Sequence, residues 1–146
     1  MHPEIHINYT AVLAAMVANM VLGFLWYGPL FGKAWAREVG VDIAVKPPPK
    51  VFARAMTLMV VGTFLTCYVL AHSALVWRPS VWGAGADMPD ASYGFFSAFF
   101  TWIGFYVPLL LGSVAWENKS WKLFGINAAY SFVALLSAGM ILAHWR

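Results

Sequence analysis

Charge is scarce in this chain: aspartate, glutamate, lysine and arginine make up 10% of its 146 residues, well below the share usual for soluble domains. So few charges cannot clothe a water-facing surface. Cysteine is nearly absent too, and the lone Cys67 excludes an intramolecular disulfide and any paired-cysteine metal motif. Cys67 lies inside an apolar run, where it reads as a small packing side chain. A glycine-rich phosphate loop is missing, as is a nucleophile beside a base in a recognisable motif. The strict polar–apolar alternation of barrel strands is missing as well.

What the chain has instead is hydrophobic residues, at 62% of the total, gathered into four long runs at about 7–28, 55–77, 92–115 and 123–144. Each is long enough for a helix to cross a hydrocarbon core, which takes roughly 20 residues. None shows the polar face, repeating near every 3.6 residues, that a soluble helical bundle requires. The first run lacks the basic leader of a secretory signal and exceeds its usual apolar length, so it reads as a retained helix. The predicted fold is all-α: an integral membrane four-helix bundle forming a single domain.

Lysine and arginine set the expected orientation, because short loops rich in them stay in the cytoplasm. Lys33, Arg37, Lys46, Lys50 and Arg54 follow the first run, and Lys119 and Lys122 follow the third; Arg78 and Arg146 lie on the other side. Both termini are therefore expected outside. The same asymmetry accounts for the net charge of +3 through contact with anionic lipid headgroups, without a nucleic-acid partner. Aromatic residues collect at headgroup depth, and two belts fit these limits. Trp26, Tyr27, Trp35, Trp116 and Trp121 make the inner belt, and Tyr9, Trp77, Trp82, Tyr93 and Trp145 the outer. Trp102 falls near the middle of its run, so its indole N–H needs a partner on another helix.

Between the runs, proline and glycine punctuate. Gly28-Pro29 ends the first helix, and a short amphipathic interfacial helix over about 30–39 presents Phe31, Trp35 and Val39 on one face, with Gly40 as its stop. Residues 45–50, with Pro47-Pro48-Pro49, read as a stiff extended linker. Residues 78–91 read as a turn region without a helix of its own. Pro108 is expected to kink the third helix and free a carbonyl. The stretch Tyr27 to Trp35 resembles Tyr106 to Trp116 when two one-residue gaps are allowed, which would relate two helical hairpins.

Helices in lipid associate through close backbone contact and hydrogen bonds. Ala11, Ala15, Asn19 and Gly23 form one stripe at four-residue spacing, and Asn127, Ser131, Ala134 and Ala138 share a face of the last helix. These mark contact faces within the bundle or across an oligomer. Asn19, Asn127 and Ser131 are either packing hydrogen-bonders or the lining of a polar path. Thr57, Thr63, Thr66 and Thr101 can bond their own helix backbones. The middle of the runs holds no aspartate, glutamate, lysine or arginine, which disfavours proton-coupled pumping. All four histidines, His2, His6, His72 and His144, fall on the external side with Glu4, Asp87 and Asp90, a donor set suited to a divalent metal such as zinc or copper.

Two stretches carry a resemblance: Trp26-Tyr27-Gly28-Pro29-Leu30-Phe31-Gly32-Lys33-Ala34-Trp35, and Lys122-Leu123-Phe124-Gly125-Ile126-Asn127-Ala128-Ala129-Tyr130. They are similar to the hallmark stretches of the small bacterial membrane-protein family catalogued as domain of unknown function seventeen-sixty-one. Where that pattern has an acidic residue and a glycine, this chain has Asn127 and Ala128. The resemblance implies four helices and a bacterial inner (plasma) membrane, and brings no activity with it. The residues themselves point to a non-enzymatic membrane protein, self-associating as a homo-oligomer or serving as an accessory subunit of a membrane complex. The alternative is an oligomeric channel or transporter for a small solute or metal ion.

Overall fold

The computed structural model describes residues 5–146, and among these the fold is helical throughout, with no strand. Four helices are long and apolar enough to cross a membrane: Tyr9–Leu30, Pro49–Val76, Asp90–Glu117 and Trp121–His144. We label the α-helical segments α1 (Tyr9–Leu25), α2 (Gly32–Val39), α3 (Pro49–Val76), α4 (Asp90–Thr101), α5 (Val107–Glu117) and α6 (Trp121–His144). Tyr9, Val76, Asp90 and His144 therefore lie towards one end of the bundle, the termini end. The loops carrying most of the lysine and arginine lie at the other, the basic end.

The helix limits follow local chemistry. Asn8 caps α1, its Oδ1 accepting from the N–H groups of Thr10 (3.0 Å) and Ala11 (3.2 Å). Ser120 caps α6 by accepting from the Leu123 N–H at 3.0 Å. α2 stops at Gly40, whose φ of 72° lies in the left-handed region that glycine enters without strain. Residues 45–50 are not wholly an extended linker: Pro49 and Lys50 open α3, because a proline in the first turn gives up an N–H that no helix uses there. The loop after α3 also departs from the expected irregular turn, since Pro79–Trp82 forms a 3₁₀ turn.

Two of the spans contain a π turn. One, Trp26–Leu30, continues α1 through Gly28-Pro29, so the first span runs past the expected stop. The other, Trp102–Tyr106, joins α4 to α5 just ahead of Pro108. A proline cannot donate to the carbonyl four residues back and its ring presses on that group, so a widened turn is the helix's way of continuing. The two stretches that resemble each other in sequence thus each carry a π turn beside the proline. The tryptophan that opens each π turn donates to α6: Trp26 Nε1 to the Ile126 carbonyl at 3.2 Å and Trp102 Nε1 to the Ala128 carbonyl at 2.9 Å. The partner expected for Trp102 on another helix is present.

α6 is the hub. Half of its apolar window is buried, far more than in the other spans, and it packs against α1, α3, α4 and α5. Small side chains make this possible: Ala11 and Ala15 from α1, Cys67 and Ala71 from α3, Ala98 from α4 and Ala138 from α6 are all buried in one core. The closest approach is between α4 and α6, where a Cβ added at Gly139 would lie 2.5 Å from the Gly94 carbonyl oxygen and one added at Gly94 2.8 Å from that of Gly139. Each glycine heads a four-residue small-residue pair, Gly94 with Ala98 and Gly139 with Ala143, the arrangement that lets helix backbones touch. α5, by contrast, buries none of its residues. The third span is therefore pinned to α6 in its first half, while its second half touches α6 without burying any residue.

Replacing Gly139 by alanine forces two backbones apart and is expected to cost about 1–3 kcal/mol, the usual range for overpacking a tight contact. Gly112→Ala, at a helical site where a Cβ meets nothing within 4 Å, serves as the control and should leave stability unchanged or slightly raised. Thermal unfolding in a mild detergent measures both; equal melting temperatures for the two variants would contradict the close crossing.

Candidate functional site

Two polar centres stand out in an otherwise apolar bundle. The first is a clasp at the termini end, built on Arg78, which follows α3 and whose side chain is 0% exposed. Its Nε donates to the Ala74 carbonyl at 3.2 Å and its Nη2 to the Ala143 carbonyl at 3.0 Å, tying α3 to α6. Its Nη1 meets Asp90 at 2.7 Å and Asp87 at 3.4 Å, while the guanidinium lies 4.3 Å from the centre of the Tyr93 ring. Arg146 closes the cluster from outside, 3.4 Å from Asp87 and 3.6 Å from Asp90. A buried guanidinium demands this number of partners, because desolvating an unpaired charge is prohibitive. Arg78 and Tyr93, which the sequence assigns to the same end as the termini, do lie there, and both are buried.

Asp87 is fixed on its other side by the Ser80 N–H at 2.9 Å and the Ser80 hydroxyl at 2.8 Å. The Ser80 N–H, then its hydroxyl and the Arg78 guanidinium, hold the Asp87 carboxyl below the usual carboxylate range. At the basic end the Ser120 hydroxyl and then Lys122 do the same for Glu38, which fastens α2 to the start of α6.

The second centre is a cleft of about 450 Å³ bounded by α1, α3, α5 and α6. It lies where α5, in contact with α6, faces α3 across open space. Asn19, Asn127 and Ser131, singled out in sequence as polar residues in apolar runs, all line it. Asn127 Oδ1 accepts from the Tyr27 hydroxyl at 2.8 Å, and the Ser131 hydroxyl donates to the Ala128 carbonyl at 2.9 Å. Opposite them, Thr66 and Tyr106 share a hydrogen bond at 3.2 Å. Thr57 bonds its own helix through the Ala53 carbonyl at 3.0 Å, as expected, whereas Thr66 reaches across to another span. Asn19 differs from all of these. It is 6% exposed, and its Oδ1 is the one buried side-chain polar atom among the described residues with no hydrogen-bond partner.

The small-residue stripes are used inside the chain. Ala11, Ala15, Ala134 and Ala138 are buried, and Gly23 makes room for Tyr130, whose hydroxyl would lie 3.1 Å from a Cβ placed there. The residues that sequence reasoning passed over are Tyr27, Tyr106 and Thr66 in the cleft, Arg78 in the clasp, and Gly94 with Gly139 at the crossing. Tyrosine near a helix end reads as an interfacial anchor, so its sequence signal points elsewhere.

Two of the four histidines, His72 and His144, are held by their own helices. His2 lies outside the described residues. His72 Nδ1 sits 2.9 Å from the Tyr68 carbonyl and His144 Nδ1 2.8 Å from the Met140 carbonyl, each on its own helix. Asp87 and Asp90 are engaged by arginine, and among the described residues no group of three or more histidine, cysteine, aspartate or glutamate side chains is placed to hold a metal.

Fold and cleft together define an all-helical protein with four helices long and apolar enough to cross a membrane and a cleft whose lining carries no charged group. The family model described as "Protein of unknown function (DUF1761)" matches residues 10–143, nearly the whole chain, and the chain belongs to that family. No curated protein and no solved structure matches it.

The depressed Asp87 carboxyl gives the clasp a pH signature. Its contribution to stability is complete above the ordinary carboxylate pKa of about 3.9 and is lost as pH falls through the lower value of the folded state. Asp87→Asn should therefore melt below the wild type at about pH 6, and the gap should close as pH drops below about 4. A gap that stays constant across that window would show that the charge of Asp87 does not act through the clasp.

Proposed function

We propose that this chain is a non-enzymatic, multi-pass protein of a bacterial inner membrane that receives a small uncharged solute in the cleft between its spans. The observation that carries this reading is the cleft itself, about 450 Å³ between the spans, whose polar lining residues, Asn19, Asn127, Ser131, Thr66 and Tyr106 among them, are all uncharged. A space of that size with a few polar groups on a mostly apolar wall is the usual form of a small-molecule site. The non-enzymatic part rests on the lining: its hydroxyls have no histidine, carboxylate or lysine of the cleft beside them to act as a base.

Orientation is part of the proposal, with the termini external and the basic loops cytoplasmic. The two arginines at the termini end are both paired with Asp87 and Asp90, so little net positive charge is left there to compete with Lys33, Arg37, Lys46, Lys50, Arg54, Lys119 and Lys122. Self-association, or service as an accessory subunit, is supported less directly. The alanine stripes that suggest it are buried within a single chain, so they leave no free face for a partner.

Protein purified gently from native membranes is expected to retain a small molecule, detected as added mass on the intact protein, and Asn19→Leu should lose it. An unliganded wild type, or a variant that keeps the same mass, would count against the solute reading. For topology, a cysteine at Lys46 in intact cells should resist a membrane-impermeant thiol reagent, while one at Gly85 should react. The reverse pattern would invert the orientation.

A further inference from the structure

We infer that the cleft takes the head of a membrane-dissolved quinone, an uncharged ring with a carbonyl oxygen on each of two opposite edges and an apolar tail, admitted from within the bilayer between the second and third spans. This rests on the solute reading above and narrows it in three respects: charge, hydrogen-bonding sense and route.

Neither acidic nor basic side chains face the cleft, so an ion would shed its hydration and find no counter-charge, at a cost far above that of a neutral group. What the lining holds open is donors. Asn127 uses its Oδ1 for the Tyr27 hydroxyl and leaves its amide nitrogen unbonded on the wall. Asn19 buries its Oδ1 in the protein, and its amide nitrogen is left to the cleft. The hydroxyls of Thr63 and Tyr130 stand unbonded on the same lining. An amide nitrogen can only donate, so a head that accepts can use all four of these groups, whereas an O–H or N–H can be taken by the two hydroxyls alone. The donors also come from two sides. Thr63 belongs to α3, across open space from the side of α1 and α6 that carries Asn19, Asn127 and Tyr130. A ring with carbonyl oxygens on opposite edges meets donors on both, which a single carbonyl does not.

The route follows from the shape of the bundle. Leu58 on α3 and Leu109 on α5 both line the cleft, yet they are 60% and 76% exposed. They are the lips of a mouth that faces sideways, in the part of the molecule where α5 buries nothing. In helices built for lipid, a sideways mouth with leucine lips opens onto hydrocarbon. Its occupant is therefore a molecule already dissolved there, with its ring inside and its tail trailing out past the lips. About 450 Å³ is ample for the ring and the first part of the tail, within the usual range of ligand cavities.

The test uses the full chain in liposomes with an isoprenoid quinone carrying a photoreactive diazirine on its tail. Saturable labelling is expected on the peptides that contain Leu58 and Leu109. Unlabelled quinone should compete for it, and the isoprenoid hydrocarbon without a head should compete about tenfold less well, the value of one or two hydrogen bonds. The same quinone held reduced as the quinol, whose O–H groups find no acceptor in the amide nitrogens, should also compete less well. Thr63→Val with Tyr130→Phe removes two open hydroxyls that bond nothing in the protein, so it should melt as the wild type does and weaken competition by the quinone while leaving that by the hydrocarbon unchanged. Leu109→Trp, at an exposed position that folding does not depend on, should block labelling by closing the mouth. Equal competition by quinone and hydrocarbon or by quinone and quinol in the wild type, or labelling indifferent to these variants, overturns the inference. Competition by a fatty-acid methyl ester but not by the quinone also overturns it while leaving the cleft a site for another neutral solute. A cleft that no competitor protects overturns the solute reading as well.

Discussion

Where Gly94 meets Gly139, α4 and α6 approach until carbonyl oxygens occupy the space a methyl group would need. Helices in lipid gain little from hydrophobic exclusion, so contact of this kind, with its dispersion and its close polar backbone, is what holds them together. Arg78 reinforces the same region by joining the end of α3 to Ala143 on α6 and to Asp90 at the start of α4. The termini end is therefore fastened three ways. Nothing comparable fastens α5, and the π turn at Trp102–Tyr106, held to α6 by the Trp102 indole, is where the third span's hold on α6 slackens. The cleft is the geometric consequence: the third span, locked to α6 at one end and more loosely seated at the other, leaves a wedge of space between α5 and α3.

That wedge would be unremarkable if it were lined by leucine alone, as a surface for acyl chains. Its polar lining changes the accounting. Most of its polar side chains have partners close enough to be satisfied without a ligand, and two of those partnerships, Tyr27 with Asn127 and Thr66 with Tyr106, cross between spans. They brace the walls. Asn19 stands outside this bracing although it shares a helix face with Ala11 and Ala15, which pack tightly. A residue that only glued helices together would be expected to find one of the neighbouring hydroxyls, since in an apolar medium every alternative is worse.

The sequence declares the spans clearly because hydropathy is additive over about twenty residues and hardly depends on context. It declares their ends less well. Pro49 reads as linker in a run of three prolines, yet the first turn of a helix is the one place that tolerates it. Gly28-Pro29 reads as a stop, yet a π turn lets the helix pass through. For the cleft, Asn19, Asn127 and Ser131 are conspicuous as amides and a hydroxyl in apolar runs. Tyr27, Tyr106 and Thr66 are not, because tyrosine commonly marks the interface and threonine commonly bonds its own backbone. What decides their role is which helix lies opposite, and that depends on a crossing made by two glycines in segments crowded with aromatic and aliphatic residues. Arg78 is hidden for a similar reason: an arginine after a span reads as an interfacial cation until its carboxylates, 9 and 12 residues further on, are seen to fold back over it.

The two polar centres also divide the chain's electrostatics from its recognition. In the clasp, full charges are used and fully matched, so their effect is structural: they close the termini end and cancel its net charge. In the cleft, only neutral dipoles are used. A site meant to move charge through lipid needs an ionisable group in the interior, where its desolvation is offset by function. A cleft lined by neutral dipoles gives an ion nothing to replace its hydration, whereas a neutral molecule entering it gives up far less, so the absence of charge from the lining favours neutral occupants over ions.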